Sequence, residues 1–457
     1  MGSPTRQLFG TDGIRGIAGE FPLTVESTYL IGRALGHDLI RTATNPRVVI
    51  GQDTRESSAW IADRVMLGLT SAGVETHSAG VITTPGVAYL ARSRKYTAGV
   101  VISASHNPWT DNGIKVFSGN GFKLPDSHEL AIEQEIFGLL KNPQKHAEGG
   151  GTLTSSLPGE AALRRAYIEW LAANVHADLS RLRVLVDCAN GAATAEAPEL
   201  FRTCGIQATF INAAPDGRNI NENCGALHPE MVARALTERG QFDLGVTFDG
   251  DADRALFSDA AGRVVDGDGV LLLAARDMKS RGVLKGSTVV ATTMSNMGLE
   301  IALRNSGVQM VRANVGDKYV LEEMLKSGAT LGGEQSGHVI FRDGEATTGD
   351  GLLTALRVME IMVRSGKTLA ELIADLKVFP QTIQNVRVRE KVPFAQVPDI
   401  QRVITSAQRE LDGNGRVVVR YSGTEALARV MVEAESEKKM LSLAQEITGA
   451  IKRALGA

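Results

Sequence analysis

Six short β-branched runs punctuate this chain, and each breaks at once into a small or polar loop. Val48-Val49-Ile50 enters Gly51-Gln52-Asp53, Val100-Val101-Ile102 enters Ser103-Ala104-Ser105, and Val184-Leu185-Val186 enters Asp187. Likewise Val246-Thr247-Phe248 enters Asp249, Val289-Val290-Ala291 enters Thr292, and Val417-Val418-Val419 enters Arg420. Runs of this kind read as buried strands. The segments between them carry helical spacing, as in Trp60, Ile61, Val65, Met66 and Leu69 after the capping candidates Ser57 and Ser58. Strand alternating with helix implies an α/β fold with mostly parallel sheets. Ligands of such sheets bind beyond the carboxyl ends of the strands, where these polar loops lie.

At 457 residues the chain exceeds what one hydrophobic core organises, so two to four domains and a cleft between them are expected. Residues 142–158, with Gly149-Gly150-Gly151 and a Ser/Thr cluster, read as a linker. Later boundaries fall after an acidic loop near 256 and near 370, ahead of Phe379-Pro380. The expected domains are 1–150, 151–256, 257–370 and 371–457. Ordinary usage, 43% hydrophobic and 22% charged, excludes a disordered or membrane-spanning chain. A net charge of -3 gives no overall field to draw the protein to nucleic acid or an anionic membrane, so any anion must be held locally. Cys188, Cys204 and Cys224 form no C-x-x-C pair, which fits a reducing compartment. No signal or spanning pattern opens the sequence, and Arg6 stands where myristoylation needs a hydroxyl residue; the cytoplasm is the expected location.

The sharpest motif is Asp249-Gly250-Asp251-Ala252-Asp253-Arg254. In extended backbone alternate residues point the same way, so the three carboxylates are expected to converge on one hard cation. Arg254 and Ala260 stand where an EF-hand needs Gly and Glu, which excludes that calcium loop. Mg²⁺ is the expected occupant, and three carboxylates leave its shell short of an anionic ligand. Ser105 can supply one. It stands in Ser103-Ala104-Ser105-His106-Asn107-Pro108, where Ser103 and Asn107 take the places a hydrolase elbow gives to glycine, so acyl chemistry is disfavoured. A phosphoryl group on Ser105 would complete the metal shell, and the metal would stabilise the group in transfer.

Arg420-Tyr421-Ser422-Gly423-Thr424-Glu425, with Arg429 beyond, offers guanidinium forks, hydroxyls and a glycine-turned loop to a phosphate. Glu334-Gln335-Ser336-Gly337-His338 offers acceptors and donors to vicinal sugar hydroxyls. Thr11-Asp12-Gly13-Ile14-Arg15-Gly16 and Gly316-Asp317-Lys318 are further anion-loop candidates. Read singly, each motif also has a bland reading as a solvated acidic turn, a turn serine or a strand end; their conjunction points to phosphoryl transfer. Nucleotide motifs fail on Ile361, where a P-loop needs its first glycine, and on Leu272, where a dinucleotide fingerprint needs its third.

With these motifs in this order, the sequence resembles the α-D-phosphohexomutase family over essentially its whole length. The resemblance implies three related α/β domains with mixed, mostly parallel sheets and a smaller C-terminal α+β domain around a central cleft. It also implies transfer of a phosphoryl group between two hydroxyls of one hexose through a phosphoserine and a hexose bisphosphate, which serves as priming activator. By carry-over, Ser105 is the phosphorylated residue and a metal ligand, and Asp249, Asp251 and Asp253 bind one Mg²⁺ per chain. Glu334 and Ser336 then hold the sugar, and Arg420, Ser422, Gly423, Thr424 and Arg429 its phosphate. Arg15, Lys115, Arg254, Lys318 and His338 match further active-site positions, Lys115 as first candidate base, His338 as second and Arg15 neutralising charge.

The opening Phe9 to Gly16, Gln335 in the sugar loop, and Asn219-Ile220-Asn221 leading to Cys224-Gly225 most resemble family members acting on glucosamine phosphates. Members acting on mannose or glucose phosphates, and a non-catalytic sugar-phosphate sensor, are the alternatives. Tyr421 and Ala426, where proline is frequent, and Trp109-Thr110, in place of an aromatic pair, depart from the pattern. The expected partner is a small hexosamine phosphate, with neither nucleic acid nor membrane, and the resemblance allows a homodimer.

Overall fold

The computed structural model describes residues 7–10, 12–141, 160–344, 346–422 and 426–457, so the expected boundary at 150 lies outside the described residues. The chain divides into two compact units, Met1–Met294 with Val311–Ala374, and Ser295–Met310 with Asp375–Ala457.

The first sheet contains β1 (Phe9–Gly10), β2 (Gly13–Ile17), β3 (Arg47–Gln52), β4 (Glu75–Val81), β5 (Ala98–Ile102) and β6 (Asp111–Ser118), in the order β1-β2-β6-β5-β3-β4. The second contains β7 (Arg183–Asp187), β8 (Gln207–Ile211), β9 (Leu244–Phe248), β10 (Ala255–Asp259) and β11 (Val264–Val265), in the order β11-β10-β9-β7-β8. The third contains β12 (Thr288–Thr292), β13 (Gln309–Ala313), β14 (Leu331–Gly333) and β15 (Val339–Phe341), in the order β13-β12-β14-β15. These are mixed α/β sheets. Strands pair in parallel as β3·β4, β3·β5, β7·β8, β7·β9 and β12·β14, and antiparallel pairs β5·β6, β9·β10 and β14·β15 turn the chain back beside them. Val48, Val100, Val184, Val246 and Val289 are wholly buried. A parallel strand covered on both faces must be apolar on both, so the runs are continuous and do not alternate.

Each flanking hairpin displays one motif. Residues 103–110 join β5 to β6, residues 249–254 join β9 to β10, and residues 334–338 join β14 to β15. The site loops are therefore tight connections whose two ends are fixed in one sheet.

The helix that the spacing at Trp60 to Leu69 predicts runs Glu56–Ser71, but Ser57 and Ser58 do not cap it. The Ser58 hydroxyl donates to Asp53 at 2.6 Å, and both hydroxyls accept from Asn112 Nδ2, at 2.8 and 3.0 Å. Arg55 takes the cap position without a side-chain cap bond.

In the second unit β16 (Gln381–Arg387), β17 (Gly415–Tyr421) and β18 (Leu427–Ala434) form an antiparallel sheet in the order β16-β18-β17. The helices Pro398–Leu411 and Glu437–Leu455 supply Ile400, Ile404, Leu443 and Ile447 to its core. Val417 is buried there with Val419 packed against the same core, while Val418, on the opposite face, is only half-buried, because one face of an antiparallel sheet can stay open to water. The sixth apolar run is thus a half-covered strand. Asn296 exchanges two 2.9 Å hydrogen bonds with the backbone of Phe379 in the same unit. No helix among the described residues is long and apolar enough to cross a membrane.

Candidate active site

Ser105 sits at φ 52°, in the left-handed region a serine adopts only when its surroundings hold it there. The holding groups are buried. Ser105 N–H donates to Ser103 Oγ at 3.0 Å, and Ser103 Oγ donates in turn to Asp53 at 2.7 Å. The Arg55 guanidinium pairs with Asp53 at 2.8 Å and donates to the carbonyls of Ser105 and Asn107 at 2.9 Å, of Asp111 at 3.0 Å, and of Pro108. From the second sheet's side, Asn221 Nδ2 donates to the same Ser105 carbonyl at 2.9 Å.

The Ser105 hydroxyl donates to Asp249 Oδ2 at 2.5 Å, although 144 residues separate them. Asp249, Asp251 and Asp253 are buried, and each offers a carboxylate oxygen within 4.8 Å of the others. The convergence expected from the sequence is present, but not through extended backbone. Residues 249–254 form a turn with Ala252 at φ 54°, closed by Ala252 N–H donating to Asp249 O at 3.1 Å. Gly250 lets the two loops meet, for a Cβ there would lie 2.5 Å from the Ser105 carbonyl oxygen.

This donor set fits a hard divalent cation. Asp251 Oδ1 and Asp253 Oδ1 are buried with no hydrogen-bond partner, a costly state that an oxygen-preferring ion relieves. Burial, with the charges of Asp253 and Asp251, pushes the Asp249 carboxyl well up, and burial with the charge of Asp251 pushes Asp253 up. Burial works the same way on Asp251, but Lys115 and hydrogen bonds from Lys115 and Thr84 outweigh it and hold that group down at about 2.

A cavity of about 420 Å³ opens over these groups. Arg15, His106, Arg254 and His338 line it beside Asp253 and Glu334. Lys115, buried on β6, places Nζ 2.7 Å from Asp251, 3.0 Å from Asp12 and 3.6 Å from Asp253. Burial opposes its charge, yet those three carboxylates raise the ammonium well above its usual range. Arg15 pairs with Asp12 and reaches Asn107 Oδ1 at 3.4 Å, and Arg254 Nε lies 3.8 Å from Asp253. Burial pushes the Glu334 carboxyl up. Both ring nitrogens of His338 and the Ser336 hydroxyl are buried without hydrogen-bond partners, as polar groups meant for a ligand are.

Some sequence-derived residues stand elsewhere. Lys318 pairs with Asp126 and lines a separate cavity of about 150 Å³. Gln335 is turned to donate to Asp266 at 3.0 Å and staples the sugar loop to the helix Gly267–Ser280. Gly423, Thr424 and Thr11 lie outside the described residues. Within the second unit, Arg420 on β17 is directly opposite Arg429 on β18, and Arg429 Nη2 lies 3.5 Å from Ser422 Oγ. Like charges paired across strands destabilise a sheet, so the arrangement is one that an anion would stabilise. Lys391 adds a third cation there, donating to the Ser422 carbonyl at 2.8 Å.

Sequence reasoning missed Asp53, Arg55, Asn221, His106 and Lys123. His106 Nδ1 is 3.3 Å from Ser105 Oγ, and burial with the charges of Arg254 and Arg15 pushes it down to about 4. Lys123 bridges Asp12 and Asp317, each at 2.6 Å. His106 lay within the serine motif, Asp53 in a strand-end loop and Asn221 in the stretch Asn219-Ile220-Asn221, whereas Arg55 and Lys123 had no local signal.

Four successive segments match the phosphoglucomutase/phosphomannomutase family model: alpha/beta/alpha domain I at 6–142, domain II at 165–262, domain III at 266–379 and the C-terminal domain at 384–450. The chain is 61% identical to a phosphoglucosamine mutase of Koribacter versatilis, over 100% of this chain and 99% of that one. Among solved structures it resembles a phosphoglucomutase/phosphomannomutase family protein of Burkholderia thailandensis, with a TM-score of 0.80 at 24% identity over 98% and 99% of the two chains. It also resembles an Aspergillus fumigatus N-acetylphosphoglucosamine mutase in complex with GlcNAc-6P and magnesium, with a TM-score of 0.63 at 20% identity over 99% and 96%.

Proposed function

The chain belongs to the phosphoglucomutase/phosphomannomutase family, and from that premise we propose that it interconverts glucosamine 6-phosphate and glucosamine 1-phosphate through phosphorylated Ser105. It is an intramolecular phosphotransferase, an isomerase. One observation carries the serine's part in this reading: its hydroxyl lies 2.5 Å from Asp249, inside a buried trio of carboxylates.

In the forward cycle the bond from phosphorus to Ser105 Oγ breaks as one forms to the free sugar hydroxyl, whose proton passes to a base while the serine oxygen keeps the electron pair. The resulting bisphosphate turns over in the site. Its other phosphoryl group then returns to Ser105 Oγ, leaving the isomeric monophosphate. One Mg²⁺ held by Asp249, Asp251 and Asp253, with Ser105 as fourth ligand, supplies neutralisation of the phosphoryl oxygens when bound. Arg15 and Arg254 add positive charge from the chain itself. Of the two expected bases, Lys115 already shares its ammonium among three carboxylates and acts as a charge. His338, whose ring nitrogens make no hydrogen bond and whose Nε2 lies 3.8 Å from the Asp317 carboxylate, is the better placed to take the proton. Glu334 and Ser336 grip the sugar hydroxyls, and Arg420, Ser422, Gly423, Thr424 and Arg429 its phosphate. In this reading the functional domains are 1–150, 151–256, 257–370 and 371–457, a hexose bisphosphate primes the serine, and the free cysteines fit a cytoplasmic setting.

Measuring kcat/KM on glucosamine, glucose and mannose 6-phosphates, with release of inorganic phosphate followed in parallel, tests the assignment. The amino sugar should lead by about tenfold or more. A preference for glucose or mannose phosphate, or phosphate release outpacing isomerisation, would overturn it.

A further inference from the structure

Asp251 is held differently from its two companions. Its Oδ2 receives two donors, Lys115 Nζ at 2.7 Å and Thr84 Oγ1 at 2.5 Å, whereas its Oδ1 is buried without a hydrogen-bond partner. Thr84 also donates its backbone N–H to the Asp251 carbonyl at 3.0 Å. A carboxylate held by its main chain and by one oxygen cannot rotate, so its second oxygen has one direction in which to point.

Local sequence explains why Thr84 can do this. It is the first residue of the helix Thr84–Ser93, ahead of Pro85, and Thr83 caps that helix by accepting from Gly86 N–H at 3.3 Å. The N–H of the first residue has no acceptor within its own helix, so it is free to bond outside it. Pro85 presets the turn and itself carries no N–H. Thr84 is 2% exposed, so water does not compete for its hydroxyl. The contact also crosses 167 residues, joining the first sheet's domain to the acidic loop.

We propose that Thr84 is a positioning residue for the cation site: it fixes Asp251 so that Oδ1 faces the ion. This rests on reading the acidic loop as a divalent-cation site. Outer partners of metal ligands typically change affinity about 10–100-fold when removed. Lys115 holds the same oxygen but carries charge, so the neutral hydroxyl is the partner that orients without altering the charge of the site.

The test uses purified full-length protein and Mn²⁺ alone, with free Mn²⁺ measured by electron paramagnetic resonance. Thr84→Val removes the hydroxyl at nearly constant volume, and Thr84→Ser keeps it. The valine variant should bind Mn²⁺ about 10–100-fold more weakly and the serine variant within about threefold of wild type. Near-ultraviolet circular dichroism checks folding, and Thr84→Ala replaces the valine variant if that one does not fold. Undiminished Mn²⁺ affinity in a folded variant lacking the hydroxyl, or equal loss in Thr84→Ser, overturns the inference while leaving the cation site standing. Wild-type protein that binds no Mn²⁺ overturns both.

Discussion

Arg55 holds the serine loop from beneath, and replacing it with methionine keeps the buried stem while deleting the guanidinium. Five bonds go: to Asp53 Oδ2, and to the carbonyls of Ser105, Asn107, Pro108 and Asp111. Asp53 keeps donors in the hydroxyls of Ser58 and Ser103 and in the Arg55 N–H, and Ser105 O keeps Asn221. What remains is a buried carboxylate without its cation, and breaking a buried pair from one side costs about 3–5 kcal/mol. The left-handed Ser105 adds ~1–2 kcal/mol of backbone strain that those carbonyl bonds now restrain. Arg55→Met should therefore lower the stability of the first unit by about 3–5 kcal/mol in urea titration, and kcat should fall more than KM rises as Ser105 leaves the aspartates. Arg55→Lys, a single point donor in place of a fork, should fall between. A methionine variant within about 1 kcal/mol of wild type, with kcat unchanged, would refute the reasoning.

Gly250→Ala would press a Cβ against the Ser105 carbonyl, so it should cost about 1–3 kcal/mol and reduce activity, read by urea titration and initial rates. Burial pushes the Asp350 carboxyl up to about 6 from an ordinary 3.8, against hydrogen bonds from Leu353 N–H and the Tyr167 hydroxyl. The folded protein then keeps a proton that the unfolded chain releases, so stability from this group is present below pH ~4 and is lost as pH rises to ~6. Asp350→Asn keeps an acceptor for Leu353 and removes the titration; relative to wild type it should gain up to about 3 kcal/mol between pH 4 and 7 in denaturant titrations. Arg420→Gln should raise the KM for sugar phosphate about tenfold or more while leaving stability unchanged or slightly higher, since it removes one of two facing cations.

The central strands were legible because a strand covered on both faces can be built only from a continuous apolar run, as at Val100 to Ile102 and Val246 to Phe248. Their antiparallel neighbours were not, since Asp111 to Lys115 carries site chemistry that masks β6. The acidic trio was legible as chemistry and not as geometry: a left-handed Ala252, which no local pattern announces, is what gathers the carboxylates. Ser57 and Ser58 looked like caps because hydroxyl residues ahead of a helix usually are, whereas here Asn112 donates to both hydroxyls and Ser58 donates to Asp53. The contacts of Arg55, Asn221 and Thr84 stayed hidden for a common reason. These are ordinary residues whose partners lie 50, 116 and 167 positions away, and sequence spacing carries no record of such contacts.

Peptide mass spectrometry of protein treated with a hexose bisphosphate, and then mixed with glucosamine 6-phosphate, tests the central claim most directly. One phosphoryl group should reside on the Ser105 peptide, leave it within a single turnover, appear as bisphosphate, and be absent from an inactive Ser105→Ala variant. Full turnover by that variant, or a wild-type enzyme that cycles with Ser105 never modified, would contradict the account.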